Sequence, residues 1–364
     1  MGQIGAFSGV AGPITAGGRT SLAVWAQAVN SRGGLACHPV VLYQVDDGAD
    51  PSRAAAEVQD LVENKHVQAL VGVADPLGFQ GIISGAERAK IPVIGGDGID
   101  FNWNASPYLF PTGAGSLGII RVFVDRISKL GKTKDGLLYC VEASACTEAA
   151  KVLTAEVPKA GMQLAYSAPV SVTQADYTAQ CLSARNAGVQ VLGLAMDGAS
   201  VARVARSCAA VNYHPLLAAE ELGFTPATSN DPDVRRDGVV SATAVAPSLP
   251  LDTPGQREYH AALVRFAPDA TADGMSIAIW AAGRLVEATV AGLGTKARIA
   301  PITTADLFAG LGTVHSQALG GLIPPITFTA GQRSAPLINC AYVEMLTDKG
   351  WTAPNGGAPT CARP

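Results

Sequence analysis

Charge is scarce in this 364-residue chain: Asp, Glu, Lys and Arg make up 15% of it, against 48% hydrophobic residues. The net charge is −4, and without a basic run there is no electrostatic footprint for nucleic acid. Long apolar runs are also missing. The 40 glycines and 23 prolines interrupt every hydrophobic stretch before it reaches the roughly 18–20 residues that span a bilayer. Met1-Gly2 leads into an apolar segment with no basic n-region and no apolar h-region before it. Taken alone, that beginning reads as cytoplasmic.

Catalytic signatures are equally sparse. The five histidines, His38, His66, His214, His260 and His315, show neither H-E-x-x-H nor a close H-x-x-H spacing. There is no G-x-S-x-G elbow and no Walker A, and the Gly-rich stretch GAFSGVAGPITAGG does not read G-x-G-x-x-G. Cys37 and His38 are adjacent, but a nucleophile and its base need convergence in space, which adjacency does not supply. None of the seven cysteines forms C-x-x-C or has histidine at zinc-finger spacing. The chain therefore reads as a non-enzyme, with no metal and no cofactor.

What is present is alternation of strand and helix to about residue 220, the pattern of doubly wound α/β sheets. Gln3–Ser8 reads as a strand that breaks at Gly9. A helix with Leu22, Trp25, Ala26 and Val29 on one face follows and stops at Gly33-Gly34. Strand Val40–Val45 runs into Asp46-Asp47-Gly48-Ala49-Asp50-Pro51, where Asp50 and Pro51 suit the N-cap and first position of a helix. Strands at 69–73 and 91–94 flank a helix at 79–89. From Ser116 the alternation resumes, with helices at 117–130, 147–160, 177–187 and 200–211 and strands at 136–140, 163–168, 189–195 and 216–218. Residues 225–237 read as loop and 238–242 as strand. Helices at about 255–266 and 276–291 follow, and 327–346 reads as a pair of strands. In open parallel sheets, ligands bind at the carboxyl ends of strands, and polar residues mass at those ends here.

GAFSG, the helix end VNSRGG, DDGADPSRAA, LVENKHVQALVGVADP, AKIPVIGGDG, YLFPTGAG and the C-terminal FTAGQRSAPLINCAYVEMLTDKGW occur in that order. In that order and spacing they resemble the type I periplasmic solute-binding proteins, nearest the branched-chain amino-acid receptors of ABC importers, over nearly the whole chain. The resemblance implies an α/β fold of two doubly wound, Rossmann-like lobes joined by a three-segment hinge. Lobe 1 would comprise 1–112 plus 251–325, and lobe 2 would comprise 113–250 plus 326–364. Crossings would fall near 112–115, 245–251 and 324–327, and the ligand cleft between the lobes. The implied partners are a small-molecule ligand and an ABC permease. The implied state is a monomer outside the cytoplasm, its leader removed. A ligand-sensing regulator or receptor ectodomain of the same fold is the alternative.

The resemblance also implies where ligand is held. In lobe 1 the loops Asp75-Pro76-Leu77 and Asp97-Gly98-Ile99 follow buried strands, and Ile14 falls near an aromatic position of the amino-acid receptors. In lobe 2, Cys146 and Asp197 fall at or near aromatic positions, and Glu220 where a carboxylate holds the ligand ammonium. Without the family, Asp75 reads as a helix cap, Asp97-Gly98 as a turn, Asp197 as a cap and Glu220-Glu221 as a solvated corner. Pro76 and Ile99 replace the Ser and Thr hydroxyls that fix an amino acid. Asp75, Asp97, Asp197 and Glu220 would repel one another around one ligand, which favours a cationic, amide or polyhydroxy ligand over a branched-chain amino acid. Phe79, Phe101 and Trp103 serve either as a platform for its apolar body or as core.

Six cysteines fall in the implied second lobe. Cys181 and Cys208 sit on helices flanking one strand, Cys361 can pin the tail to Cys340, and Cys140 and Cys146 can close a small loop. This is one of fifteen pairings, and buried free thiols are the other reading. Cys37 is left over. Disulfides require an oxidising compartment.

Overall fold

A computed structural model describes residues 1–9, 11–220 and 224–362. In chain order, β1 (Gly2–Gly5), α1 (Gly12–Ser31), β2 (Tyr43–Asp46), α2 (Pro51–Glu63), β3 (Leu70–Val73), α3 (Phe79–Ala89), β4 (Val93–Gly96) and β5 (Leu109–Phe110) come first. Next come α4 (Ser116–Lys129), β6 (Lys134–Cys140), α5 (Ser144–Lys159), β7 (Gln163–Val170), α6 (Thr178–Asn186), β8 (Val191–Ala195), α7 (Gly198–Ala210) and β9 (Leu216–Ala218). The chain continues through α8 (Pro226–Ser229), α9 (Pro232–Asp237), β10 (Val239–Thr243), α10 (Pro254–Phe266), α11 (Gly274–Ala291), α12 (Lys296–Ile299) and α13 (Thr304–Leu311). It closes with β11 (Cys340–Thr347), β12 (Gly350–Thr352) and β13 (Thr360–Cys361).

The chain divides into two compact units. One is Met1–Gly115 with Ala244–Ile338, the other Ser116–Thr243 with Asn339–Pro364. Residues 113–115, 244–250 and 326–338, assigned to the second lobe by the sequence, thus pack with the first unit.

In the first unit the described strands run in the order β2-β1-β3-β4-β5, all parallel. Ile4, Val58, Leu61, Leu70, Val73, Ile82 and Val93 form a core between this sheet and α2 and α3. Helix α2 begins where Asp50 accepts from the N–H groups of Ser52 and Arg53, a cap worth about 1 kcal/mol. The other face is covered by α11, whose residues Met275–Gly283 are almost entirely buried. Its close approach depends on two glycines. Gly72 and Gly95 have φ of +61° and +63°, and the β3–β4 register passes over both. A Cβ on Gly95 would lie 2.5 Å from the Ala282 Cβ, so a side chain there would clash with α11. The Gly72 carbonyl, left out of the ladder, accepts instead from the fully buried Gln3 amide at 2.8 Å.

In the second unit the order is β12-β11-β10-β9-β8-β6-β7, with β13 on β11. Strands β6 to β10 are parallel, and β11 runs antiparallel to β10, as do β12 and β13 to β11. Leu138, Leu192, Val201, Val204 and Val239 anchor a core that includes the Cys181–Cys208 disulfide. Cys140–Cys146 and Cys340–Cys361 are also bonded, and Cys37 is free and exposed. This is the pairing anticipated above.

Three local expectations need correction. Residues 225–237 form α8 and α9, started by Thr225 and by Asp231, which cap through their side chains. The strand pair expected over 327–346 is a single strand that begins only at Cys340 and pairs with β10 before it and with β12 and β13 after it. Third, β5, α12 and α13 were not anticipated, because they carry too few residues to show a period.

Candidate functional site

The carboxyl ends of β2, β3 and β4 bring several acids together in the first unit. Asp47 and Asp75 are fully buried and Asp97 is 3% exposed. Asp75 Oδ1 accepts from the N–H groups of Leu77 and Gly78, at 3.3 and 2.7 Å. Those two N–H groups, which would otherwise face outward at the start of α3, are therefore taken. Asp97 accepts from Asp75 N–H and Ile99 N–H, each at 3.0 Å. Gly98 has φ +74°, which completes an Asx turn. Asp75 and Asp97 thus hold the loops in shape and do not display their charge at the surface.

Burial pushes the Asp97 carboxyl up to about 7, against the pull of the Ile99 N–H, with Asp100 and Asp75 adding to the rise. Burial and then contact with Asp75 push Asp47 up to about 8. Asp46 moves the other way: although its burial raises it, hydrogen bonds from Ser8, Gly48 and Phe7 and the charge of Arg53 hold it below the usual range. Asp46 and Asp47 were visible in the sequence only as part of a polar strand end. Their buried contacts with a neighbouring strand left no signal there.

Pro76, Leu77 and Ile99 on these loops are apolar and partly exposed, as is Ile14 on the first turn of α1, whereas the neighbouring Asp46 and Asp100 are partly exposed acids. Phe79 and Trp103 are 1% and 3% exposed and pack on each other with centroids 4.8 Å apart, so they belong to the core. Phe101 is half-buried in a single 3-10 turn.

In the second unit the expected residues again lie at strand ends. Cys140 closes β6, and its bond to Cys146 clamps Val141–Ala143 onto the first turn of α5. Glu142, absent from the expectations, accepts from Ser171 Oγ and Val172 N–H and so joins the ends of β6 and β7. Asp197 caps α7, accepting from Ser200 N–H at 3.0 Å and Ser200 Oγ at 2.6 Å. Arg203 donates to the same Ser200 hydroxyl and to the Val172 carbonyl, which places a cation near Asp197. Glu220 is half-buried just beyond β9, and Glu221 lies outside the described residues. Among the described residues no cluster of His, Cys, Asp and Glu is suited to a metal ion, and no helix is long and apolar enough to cross a membrane.

A family model described as periplasmic binding protein matches residues 1–350. No curated protein sequence matches the chain. Among solved structures, it is similar to a possible leucine/isoleucine/valine-binding protein from Rhodopirellula baltica, at TM-score 0.83 and 16% identity over 97% of this chain and 95% of that one. It is similar to an ABC transporter solute-binding protein from R. palustris in complex with benzoate, at TM-score 0.77 and 16% identity over 100% and 97%. A fatty acid ABC transporter substrate-binding protein from Thermomonospora curvata gives TM-score 0.79 at 17% identity over 100% and 90%. The two α/β units are those of the type I fold.

Proposed function

The chain belongs to the periplasmic binding protein family, and we propose that it is the solute receptor of an ABC importer, capturing a small molecule and passing it to a membrane permease. The match of the family model over residues 1–350 carries this reading. Three disulfides support a site of action outside the cytoplasm. The receptor acts as a monomer, and it captures and releases its solute without making or breaking bonds in it.

Ile14, Pro76, Leu77, Gly98 and Ile99 would hold the solute on one unit, and Cys146, Asp197 and Glu220 on the other. Asp75 and Asp97 serve by shaping the loops. With those two carboxylates bonded to backbone and Arg203 near Asp197, the need for a cationic solute weakens. An amide or polyhydroxy compound with an apolar body suits this reading, its body resting on Ile14, Pro76, Leu77 and Ile99. Closure requires contacts that are stronger in the closed state than in the open one. Moving a population from mostly open to mostly closed takes about 5 kcal/mol of such difference.

A thermal-shift screen tests the reading with leucine, benzoate, a medium-chain fatty acid, amides, polyols and organic cations. Stabilisation by an amide or polyol with an apolar portion is expected. Strong stabilisation by leucine with none from amides or polyols would overturn the solute class, and conversion of any compound would overturn the receptor reading.

A further inference from the structure

We propose that Asp47 and Asp75 share a single proton, as a buried carboxylic acid–carboxylate pair that bridges the ends of β2 and β3 over the end of β1. The sheet order sets up the meeting. Strands β2 and β3 flank β1, so residues just past their ends lie on either side of Ala6, a small and fully buried residue. Both carboxyls are themselves fully buried and within hydrogen-bonding reach of each other.

Each carboxyl uses Oδ1 on backbone. Asp47 Oδ1 accepts from Ala49 N–H at 2.9 Å, and Asp75 Oδ1 accepts from Leu77 and Gly78. Each Oδ2 is buried and receives no hydrogen bond from an N–H or O–H group among the described residues. Asp75 Oδ2 lies directly over Gly78, where an added Cβ would come within 2.0 Å of it. Two ionised oxygens left so, side by side, buried and with no donor among the described residues, would cost several kcal/mol. One proton between them removes one charge and supplies the missing donor, turning a repulsion into a charge-assisted hydrogen bond.

The surrounding charges favour retention of that proton. Asp46 lies beside Asp47, Asp97 and Asp100 come from the end of β4, and the cation from α2, Arg53, pairs with Glu57 and lends its charge to Asp46. The rise of Asp47 to about 8 accords with a proton kept through neutral pH. Loss of the proton from Asp47 leaves two buried charges facing each other and loosens the carboxyl that shapes the Pro76–Leu77 loop.

Infrared spectroscopy of the purified chain between about pH 6 and pH 10 tests this, with Asp47→Asn and Asp97→Asn as variants. Because Asp97 and Asp135 are themselves raised to about 7, the expected result is a protonated-carboxyl band in the parent-minus-Asp47→Asn difference spectrum at pH 7 that disappears near pH 8 and survives when both chains also carry Asp97→Asn. A band unchanged in Asp47→Asn would overturn the proposal, assigning the proton to Asp97 or elsewhere. Stabilisation of the parent chain by calcium or sodium that Asp47→Asn abolishes would also overturn it, since a cation would then bridge the pair. Should Asp47→Asn not fold, proton release by the parent chain decides: no carboxyl group titrating near pH 8 contradicts the proposal.

Discussion

The backbone N–H of Asp75 donates to the carboxylate of Asp97 at 3.0 Å. This bond joins the loop after β3 to the loop after β4, and both loops carry residues assigned to the solute. Asp97→Ala removes an acceptor from two N–H groups, Asp75 and Ile99, in a buried setting. The expected loss is about 2–4 kcal/mol, measured by urea denaturation. Asp97→Asn keeps one acceptor and should fall between the two.

Gly95→Ala tests the packing of α11 on the first sheet. The substitution places a Cβ 2.5 Å from Ala282 at a φ of +63°. Left-handed backbone and overpacking together should cost about 2–4 kcal/mol. Thermal melting should show it, and an unchanged midpoint would mean that α11 does not approach the sheet so closely.

The Cys181–Cys208 disulfide lies within the core of the second unit. Replacing both cysteines by alanine should lower the stability of that unit by about 2–4 kcal/mol. Hydrogen exchange resolved by peptide should show faster opening of α6 and α7, with α1 and α11 unaffected.

Stability should fall as pH rises from about 4 to about 7. Burial lifts Asp97 and Asp135 to about 7 each, whereas both ionise near 3.8 once unfolded. Their contribution is therefore complete below that value. It declines as the unfolded chain gives up protons that the folded chain retains, and it levels off above about 7. The slope is at most about 1.4 kcal/mol per pH unit for each group. Asp135→Asn should flatten the melting curve of the second unit between about pH 4 and pH 7, and a curve parallel to the parent's would exclude Asp135 as a source.

Much of the fold was legible because helices and buried strands carry long patterns. The apolar face of α1, the Asp50-Pro51 start of α2 and the alternation of β6 to β9 with α5 to α7 were all readable as sequence. Strand β5 and helices α12 and α13 were not, since two to eight residues show no period. The start of β11 was also misjudged, because residues 327–339 carry an apolar pattern but pair with no strand among the described residues. At the site, the readings of Asp75 and Asp197 as caps and of Asp97-Gly98 as a turn all describe bonds that the structure contains. The mutual repulsion expected among four acids did not allow for Asp75 and Asp97 turning inward to backbone N–H groups. Asp47, Glu142 and Arg203 were missed because their partners are brought to them by neighbouring strands.

Glu220→Ala should weaken solute binding more than tenfold without unfolding the protein. Isothermal titration with the compound that stabilises the protein most in the thermal screen measures this, and unchanged affinity would remove Glu220 from the solute's contacts.

Small-angle X-ray scattering of the unliganded protein and of the protein saturated with that compound, with the compound then recovered and identified by mass spectrometry, bears most directly on the central claim. Closure around an unaltered solute predicts a smaller radius of gyration in the saturated sample and recovery of the compound intact. An unchanged radius at saturation, or recovery of a converted compound, would contradict it.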